Sequence, residues 1–217
     1  MSMYDYPLNL RFKLVALAPR IIVTDNKGRE ILFVSQKIFK LKEDIRIYRS
    51  QAKEHEVFNI KADKILDFNT RYSFFDTETQ AKIGSVKAKA WRSIWSATYM
   101  IDDPAENQQM WIKEDNPWVK IADSIFQDIP IVGMFSGYVF NPSYTCYHSP
   151  NINDVSHPVM QITKQGAFFE SAFTVDLLDP NMTREDEVSA LLSFLVMVQF
   201  MRRRGWVTTC LSLIQKT

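Results

Sequence analysis

The stretch that decides the fold of this chain is VSALLSFLVMVQFM, residues 188–201. Only Ser189, Ser193 and Gln199 interrupt its apolar residues. At the helical period these apolar residues leave no polar face, so the predicted helix has to be buried on nearly all sides. Nearly everything before it has the pattern of short strands, which together predict a sheet wrapped around one hydrophobic helix.

The residues on either side of this stretch predict where the helix begins and ends. Thr183 is a candidate N-cap with Asp186 three residues later, in the spacing of a capping box. Arg202, Arg203 and Arg204 suit the negative end of a helix dipole, and Gly205 is a candidate for the C-terminal end. A membrane span needs about 20 apolar residues. This shorter stretch has charged residues on both sides, which favours a core helix over a membrane span.

Alternating apolar and polar residues upstream predict many strands. The clearest hairpin joins 21–25 to 30–36 through the turn NKGR, residues 26–29. The other predicted strands lie at 10–17, 37–42, 45–48, 56–60, 71–76, 81–89, 93–101, 131–140, 144–148, 159–163 and 167–178, with a short helix at 117–126. About a dozen strands fit a closed barrel more easily than an open twisted sheet.

Composition places the chain among ordinary globular proteins. Its 217 residues are 46% hydrophobic and 13% aromatic, with six glycines. No linker or repeat divides them, so we expect a single domain over residues 1–217. The net charge of +1 gives no overall attraction to nucleic acid, and no nucleic-acid partner is expected. Two cysteines and no signal-peptide pattern predict reduced thiols and a cytoplasmic location.

Two segments resemble known proteins. The segment ILFVSQKIFKLKEDIRIY, residues 31–48, resembles LURP-one-related proteins. The segment FTVDLLDPNMTREDEVSALLSFLVMVQFM, residues 173–201, is similar to the closing segment of those proteins and of phospholipid scramblases. Both families belong to the Tubby C-terminal-like superfamily. The resemblance implies a mainly β fold: a closed antiparallel barrel of twelve strands around a central hydrophobic C-terminal helix.

A lysine cluster is the first candidate site. Lys37, Lys40, Lys42 and Arg46 lie on one predicted hairpin, with Lys40 and Lys42 on the same face. Clustered cations on adjacent strands can bind a phosphorylated lipid headgroup through charge-assisted hydrogen bonds, and Tubby domains bind phosphoinositides. The alternative is that these lysines solvate the outer surface of the barrel and prevent edge pairing.

An acidic turn is the second candidate site. Asp176 and Asp179 overlap the segment proposed to bind calcium in scramblases, and carboxylate oxygens suit that ion. The spacing of the acids differs from the scramblase run, and the glycine of an EF-hand loop is absent. Cys146, His148 and His157 make a poor zinc signature because no fourth ligand has the usual spacing.

The sequence predicts a binding protein more readily than an enzyme. It contains no GxSxG, HExxH, Walker or GxGxxG motif, and no cofactor is predicted. The first hypothesis is a non-enzymatic module at the periphery of a membrane that recognises an anionic phospholipid. The alternatives are a scramblase-like lipid transporter with its C-terminal helix inserted in the bilayer, and an enzyme without a recognisable catalytic motif. Protein partners are not indicated.

Overall fold

The computed structural model describes residues 2–15, 18–36, 44–63, 70–89, 98–115, 142–166 and 172–214. Twelve β-strands and one α-helix lie within these residues. Their bounds are β1 Leu8–Val15, β2 Ala18–Thr24, β3 Glu30–Gln36, β4 Asp44–Tyr48, β5 Glu56–Ala62, β6 Arg71–Asp76, β7 Lys82–Lys89, β8 Thr98–Asp102, β9 Gln108–Glu114, β10 Ser143–His148, β11 Pro158–Gln165, β12 Ala172–Leu177 and α1 Arg184–Ile214.

The strands form one closed antiparallel barrel. Each strand pairs with its neighbours in sequence, and β1 pairs with β12 to close the ring. At the closure Leu8 lies opposite Val175, and Leu10 lies opposite Phe173. The predicted fold class is therefore confirmed: a mainly β protein whose antiparallel barrel contains twelve strands in the described part of the chain.

Alternation along the strands decides which side chains face the core. In β1, Leu8, Leu10 and Phe12 are buried, whereas the intervening Arg11 and Lys13 are exposed. This is the two-residue period that places successive side chains on opposite faces of a sheet. Buried side chains from all twelve strands and from α1 join in one core cluster.

The helix α1 fills that core. Every residue from Val188 to Val198 is buried, including Ser189 and Ser193. A helix that is apolar around its whole circumference meets apolar side chains on all sides inside the barrel, which explains the decisive stretch of sequence. The Ser193 hydroxyl donates to the Ser189 carbonyl oxygen at 2.7 Å, which satisfies that hydroxyl within the helix itself.

A glycine allows α1 to approach the wall at β7. A Cβ atom at Gly84 would lie 2.7 Å from the carbonyl oxygen of Asp102 and 3.1 Å from the Ser189 hydroxyl. Only glycine lacks a Cβ atom, so at Gly84 both β8 and α1 can approach the backbone of β7 closely. Ser189 therefore faces β7.

The start of α1 agrees with the sequence, but its end does not. Asp186 N–H donates to the Thr183 hydroxyl at 3.1 Å, and that hydroxyl donates to the Asp186 carboxylate at 2.8 Å. The predicted cap is therefore confirmed. The prediction that the helix ends at Gly205 is wrong, because α1 continues to Ile214. An interior glycine costs only about 1 kcal/mol, which continued helix propagation offsets.

Several predicted elements lie outside the described residues. These are the strand at 37–42, the helix at 117–126, the strand at 131–140, and parts of the strands at 93–101 and 167–178. The other predicted strands are confirmed, with bounds that shift by a few residues. Within the described residues, no helix is both long enough and apolar enough to span a membrane.

The N-terminal segment crosses the barrel end at which α1 begins. Met3 N–H donates to the Glu187 carboxylate at 2.8 Å, and Asn26 holds the backbone of Asp5 and Tyr6 through two hydrogen bonds. Glu187 is buried in the first turn of α1. The segment therefore forms part of the wall at this end of the barrel.

Candidate anion-binding cavity

A cavity of about 390 Å³ opens at the barrel end where α1 begins. Its wall combines the N-terminal segment, the start of β3, the β4–β5 loop, the turn after β6 and the first residue of α1. Binding sites for small ligands usually start at about 300 Å³. The apolar part of the wall includes Met3, Ile31 and Val57, and the charged part is described below.

The β4–β5 loop positions Arg49 and His55 on one side of the cavity. Arg49 N–H donates to the His55 carbonyl oxygen at 3.0 Å, so the two residues bracket the loop. Within the loop Lys53 has a φ of 59°. Among the described residues, no carboxylate forms an ion pair with the Arg49 guanidinium. Both side chains line the cavity.

Arg184 contributes a second guanidinium from another element. It is the first residue of α1, where the helix dipole is positive and a cation is electrostatically unfavourable. Three acids follow it directly, in the arrangement that the dipole favours. Arg184 lines the cavity and, like Arg49, has no ion-pair partner among the described residues.

Tyr4 adds a hydrogen-bond donor between these charges. Burial, and to a smaller extent the nearby Glu187 carboxylate, raise the pKa of Tyr4 to about 12, while Arg184 and Arg49 oppose the shift. The side chains of Tyr4, Arg49 and Arg184 all line the cavity. The phenol is protonated at neutral pH and has a proton to donate.

Acidic side chains line the opposite part of the wall. Asp76 accepts hydrogen bonds from the Thr79 N–H at 2.8 Å and the Thr79 hydroxyl at 3.0 Å, and these bonds lower the pKa of Asp76. Glu78 is exposed beside it. Glu56 also lines the cavity but is paired with Arg46. The cavity therefore has unpaired charges of both signs.

Arg46, the predicted headgroup ligand that the structure describes, lies in a neighbouring groove. This groove measures about 240 Å³ and shares Glu56 and Asp76 with the first cavity. Arg46 pairs with Glu56 at 3.2 Å and with Asp44 at 3.7 Å, and these two charges raise the pKa of Arg46. The two carboxylates offset its positive charge, so Arg46 attracts an anion less strongly than Arg49 or Arg184 does.

The other three predicted ligands, Lys37, Lys40 and Lys42, lie outside the described residues. The strand ends that flank them, Gln36 and Asp44, belong to the end of β3 and β4 opposite the cavity. At 3.3 Å per residue, these strand ends lie about 15–20 Å along the strands from the residues that line the cavity. The lysine site stays a prediction.

The predicted calcium ligands lie on separate elements. Asp176 is in β12 opposite Gln161, and Asp179 is in the turn before α1. One oxygen of Asp179 accepts the Asn181 N–H at 2.9 Å, and the other lies 3.1 Å from His157 Nε2. In the described part of the chain, no three acidic, histidine or cysteine side chains are close enough to share a metal ion. Calcium binding stays a prediction without support from this geometry.

The histidine and cysteine set considered for zinc has other partners. His148 Nε2 lies 3.7 Å from an Asp186 oxygen, and its ring is 5.8 Å from that of His157. Cys146 is fully buried, and burial raises the pKa of its thiol. A thiol held in its neutral form is a poor metal ligand and a poor nucleophile.

Sequence reasoning missed the cavity because its charged residues come from three distant segments, residues 49–56, 76–78 and 184. One local signal was present: Arg184 stands at the positive end of a helix. A cation in that position conflicts with local electrostatics, and such conflicts concentrate at functional sites. The other cavity residues, Arg49 and His55, carry no signal in their own neighbourhood.

The architecture defines the class of protein. A closed barrel of twelve antiparallel strands around an apolar helix is consistent with the Tubby C-terminal-like superfamily. The LURP-one-related family model matches residues 30–192, and the chain belongs to that family. No curated protein matches the chain. The resemblance of residues 173–201 to phospholipid scramblases stays a prediction.

Proposed function

We propose that this protein is a non-enzymatic binding module that recognises a phosphorylated headgroup at a membrane surface. The observation that carries the proposal is the convergence of Arg49 and Arg184 on one cavity without carboxylate partners among the described residues. A guanidinium group presents several N–H donors in a planar fork that matches the oxygens of a phosphate. The module is proposed to act in the cytoplasm, as a peripheral membrane protein.

The surroundings of the two guanidinium groups support this role. The Tyr4 phenol adds a neutral donor, and the start of α1 adds the positive end of a helix dipole. Tyr4 is partly buried, whereas Arg49 and Arg184 are exposed and accessible to a ligand from solution. Together they provide donors of different shape around one anionic group, which is how a binding site fixes the orientation of a ligand.

The cavity supports binding more directly than catalysis. Phosphate recognition needs only hydrogen-bond donors, which the two guanidinium groups and the Tyr4 phenol supply on the wall. Hydrolysis would also need a positioned nucleophile or base. His55 is the histidine among the cavity residues, and no carboxylate hydrogen bond to orient its ring is present in the described part of the chain.

The proposal is tested by flotation with phosphatidylcholine vesicles that contain phosphatidic acid, at low salt. The purified full chain is compared with the double variant R49A/R184A. Loss of a charge-assisted hydrogen bond costs about 1.5–3 kcal/mol, so the double variant should bind about 10- to 100-fold more weakly or worse. The matched control is R11A/R20A, which removes two exposed arginines elsewhere on the barrel and changes the net charge equally.

A third variant, K37A/K40A/K42A, separates the cavity from the predicted lysine site. If the wild type floats at low salt neither with these vesicles nor with vesicles that contain phosphatidylethanolamine, the proposal is refuted. If R49A/R184A binds as the wild type does and the lysine variant does not, the headgroup site is the lysine hairpin and the cavity assignment is wrong. If R11A/R20A weakens binding as much as R49A/R184A, the attraction is only net charge.

A further inference from the structure

We infer that the phosphorylated ligand carries a primary ammonium group beside its phosphate, as phosphoethanolamine does. The inference rests on the proposed function and concerns the same cavity. It comes from the second half of the wall: Asp76 and Glu78 face the same space as Arg49 and Arg184. Two carboxylates in the wall would repel a ligand that is only an anion and would weaken its binding.

The opposite charges in this cavity do not neutralise one another. Arg184 acts on Asp76 from a distance, and its charge contributes to the lowered pKa of that carboxyl group. The two side chains nevertheless do not approach within 4 Å to form an ion pair. A ligand can therefore lie between the Arg184 guanidinium and the Asp76 carboxylate and contact both.

Ion pairs elsewhere on the barrel show the contrast. Arg46 contacts Glu56 at 3.2 Å, and Arg71 contacts Asp102 at 3.2 Å. Lys82 contacts Glu106 at 2.9 Å. The guanidinium and carboxylate groups that line the cavity form no such pair with one another, although they share one open space of about 390 Å³.

The turn after β6 explains why the acids stay in place. The Thr79 N–H and the Thr79 hydroxyl both donate to the same oxygen of Asp76, and a backbone hydrogen bond from Glu78 also acts on this carboxylate. The bonds to Thr79 hold Asp76 in the turn rather than across the cavity. Glu78 follows in the same turn and has no ion-pair partner in the described part of the chain.

Chemistry then selects the ligand. A phosphate ester satisfies the guanidinium groups, and an ammonium group with three N–H donors satisfies the two carboxylates. A quaternary ammonium group, as in phosphocholine, has no N–H to donate. A ligand that is only anionic leaves Asp76 and Glu78 facing its negative charge, which lowers its affinity. The wall therefore discriminates among headgroups that all contain phosphate.

The test compares vesicles of phosphatidylcholine alone, phosphatidylcholine with phosphatidylethanolamine, and phosphatidylcholine with phosphatidic acid. The wild type should bind the ethanolamine-containing vesicles more tightly than phosphatidylcholine alone. E78Q and D76N should lose about tenfold or more of that affinity and should keep or improve their affinity for phosphatidic acid. In D76N the amide oxygen still accepts the Thr79 N–H, and E78Q changes an exposed side chain, so both should fold.

A second measurement uses soluble phosphoethanolamine and inorganic phosphate, monitored by NMR shifts of the cavity residues. Shifts with soluble phosphoethanolamine indicate a free small molecule as a sufficient ligand, and binding only to vesicles indicates a lipid. The control D63N/D176N removes two carboxylates away from the cavity and should bind as the wild type does.

The outcomes separate the two proposals. Binding to phosphatidic acid but not to phosphatidylethanolamine overturns this inference and leaves the proposed function intact. Binding to neither overturns both. Equal loss in D63N/D176N and in E78Q also overturns the inference, because the effect is then one of overall charge.

Discussion

Replacement of Gly84 by alanine tests the packing of α1 against the barrel wall. The new Cβ atom would lie 2.7 Å from the carbonyl oxygen of Asp102 and 3.1 Å from the Ser189 hydroxyl. The carbonyl belongs to the backbone of the paired strand β8 and cannot move away without disturbing the ladder. Overpacking of this kind costs about 1–3 kcal/mol. Alanine in a strand interior recovers about 0.5–1 kcal/mol relative to glycine, so the central values leave a net loss of about 1 kcal/mol, and of about 2.5 kcal/mol at most.

Urea denaturation followed by tryptophan fluorescence measures this loss. The midpoint should fall while the slope stays constant, because the extent of buried surface does not change. A chain of this size loses about 2–4 °C of Tm for each kcal/mol. If G84A is as stable as the wild type, or more stable, then β7 is not crowded at this position and the described packing is wrong.

A double-mutant cycle isolates the contribution of the helix. Ser189→Ala removes the hydroxyl that lies 3.1 Å from the added atom, so G84A should be less harmful in the S189A background. Residues in contact show coupling of about 0.5 kcal/mol or more. The matched control is G28A, at a turn glycine with a φ of 77° and no atom within 4 Å of the added Cβ. G28A should be destabilising through its backbone alone and additive with S189A.

Two further predictions concern charged groups. Glu187→Ala leaves the partly buried Met3 N–H without its acceptor and should lower the free energy of unfolding by about 1–3 kcal/mol, with faster amide exchange at Met3 and Tyr4. E187Q should lose less because it keeps an acceptor, and equal stability of E187A and the wild type would contradict this prediction. Lys82 and then Arg71 lower the pKa of Glu106 from an ordinary value of 4.5 to about 2, so its stabilising contribution is complete above about pH 4.5 and disappears as the pH falls to about 2. The wild type should therefore be more stable than E106Q at neutral pH and equally stable near pH 2, and a difference that does not change with pH would refute the ion-pair network.

The strands and the buried helix were predictable because their signals are local. The alternation of Leu8, Leu10 and Phe12 with polar residues marks one face of β1, and the turn at residues 26–29 marks the first hairpin. The all-apolar helix then requires a surrounding wall. The closure of β1 onto β12 could not be read from either strand alone, because the residues that pair there are more than 150 positions apart. The closed barrel of twelve strands was predicted from the resemblance to the Tubby C-terminal-like superfamily.

The end of α1 shows how a correct local rule can give the wrong boundary. Gly205 follows three arginines, which is typical of a helix C-terminus. In the structure the helix continues to Ile214, and its last turn contains no basic residue. The arginines are therefore in the interior of the helix, where the dipole argument does not apply. The helix-propensity cost of one glycine, about 1 kcal/mol, was too small to end the helix at Gly205.

The candidate site was the least predictable part. Lysines that are close in sequence were easy to group, and they led to the hairpin at residues 37–46. Arg49 and Arg184, which have no ion-pair partner among the described residues, are brought together only by the closed barrel and its helix. Arg46 looked equally free in the sequence, but its partner Glu56 lies ten residues away on the neighbouring strand. Pairing across strands, which the sequence does not display, determines which cations remain available.

Thiol accessibility at Ser193 tests the central architecture most directly. Ser193 is fully buried in α1, and cysteine differs from serine by one atom, so S193C places a thiol inside the barrel with little disturbance. In a C210A background, with no lipid or detergent present, maleimide should not label S193C until denaturant is added. The control V155C, at a position that is 51% exposed, should be labelled at once. Labelling of S193C in the native protein at a rate close to that of V155C would show that water reaches the helix, and would contradict a barrel closed around it.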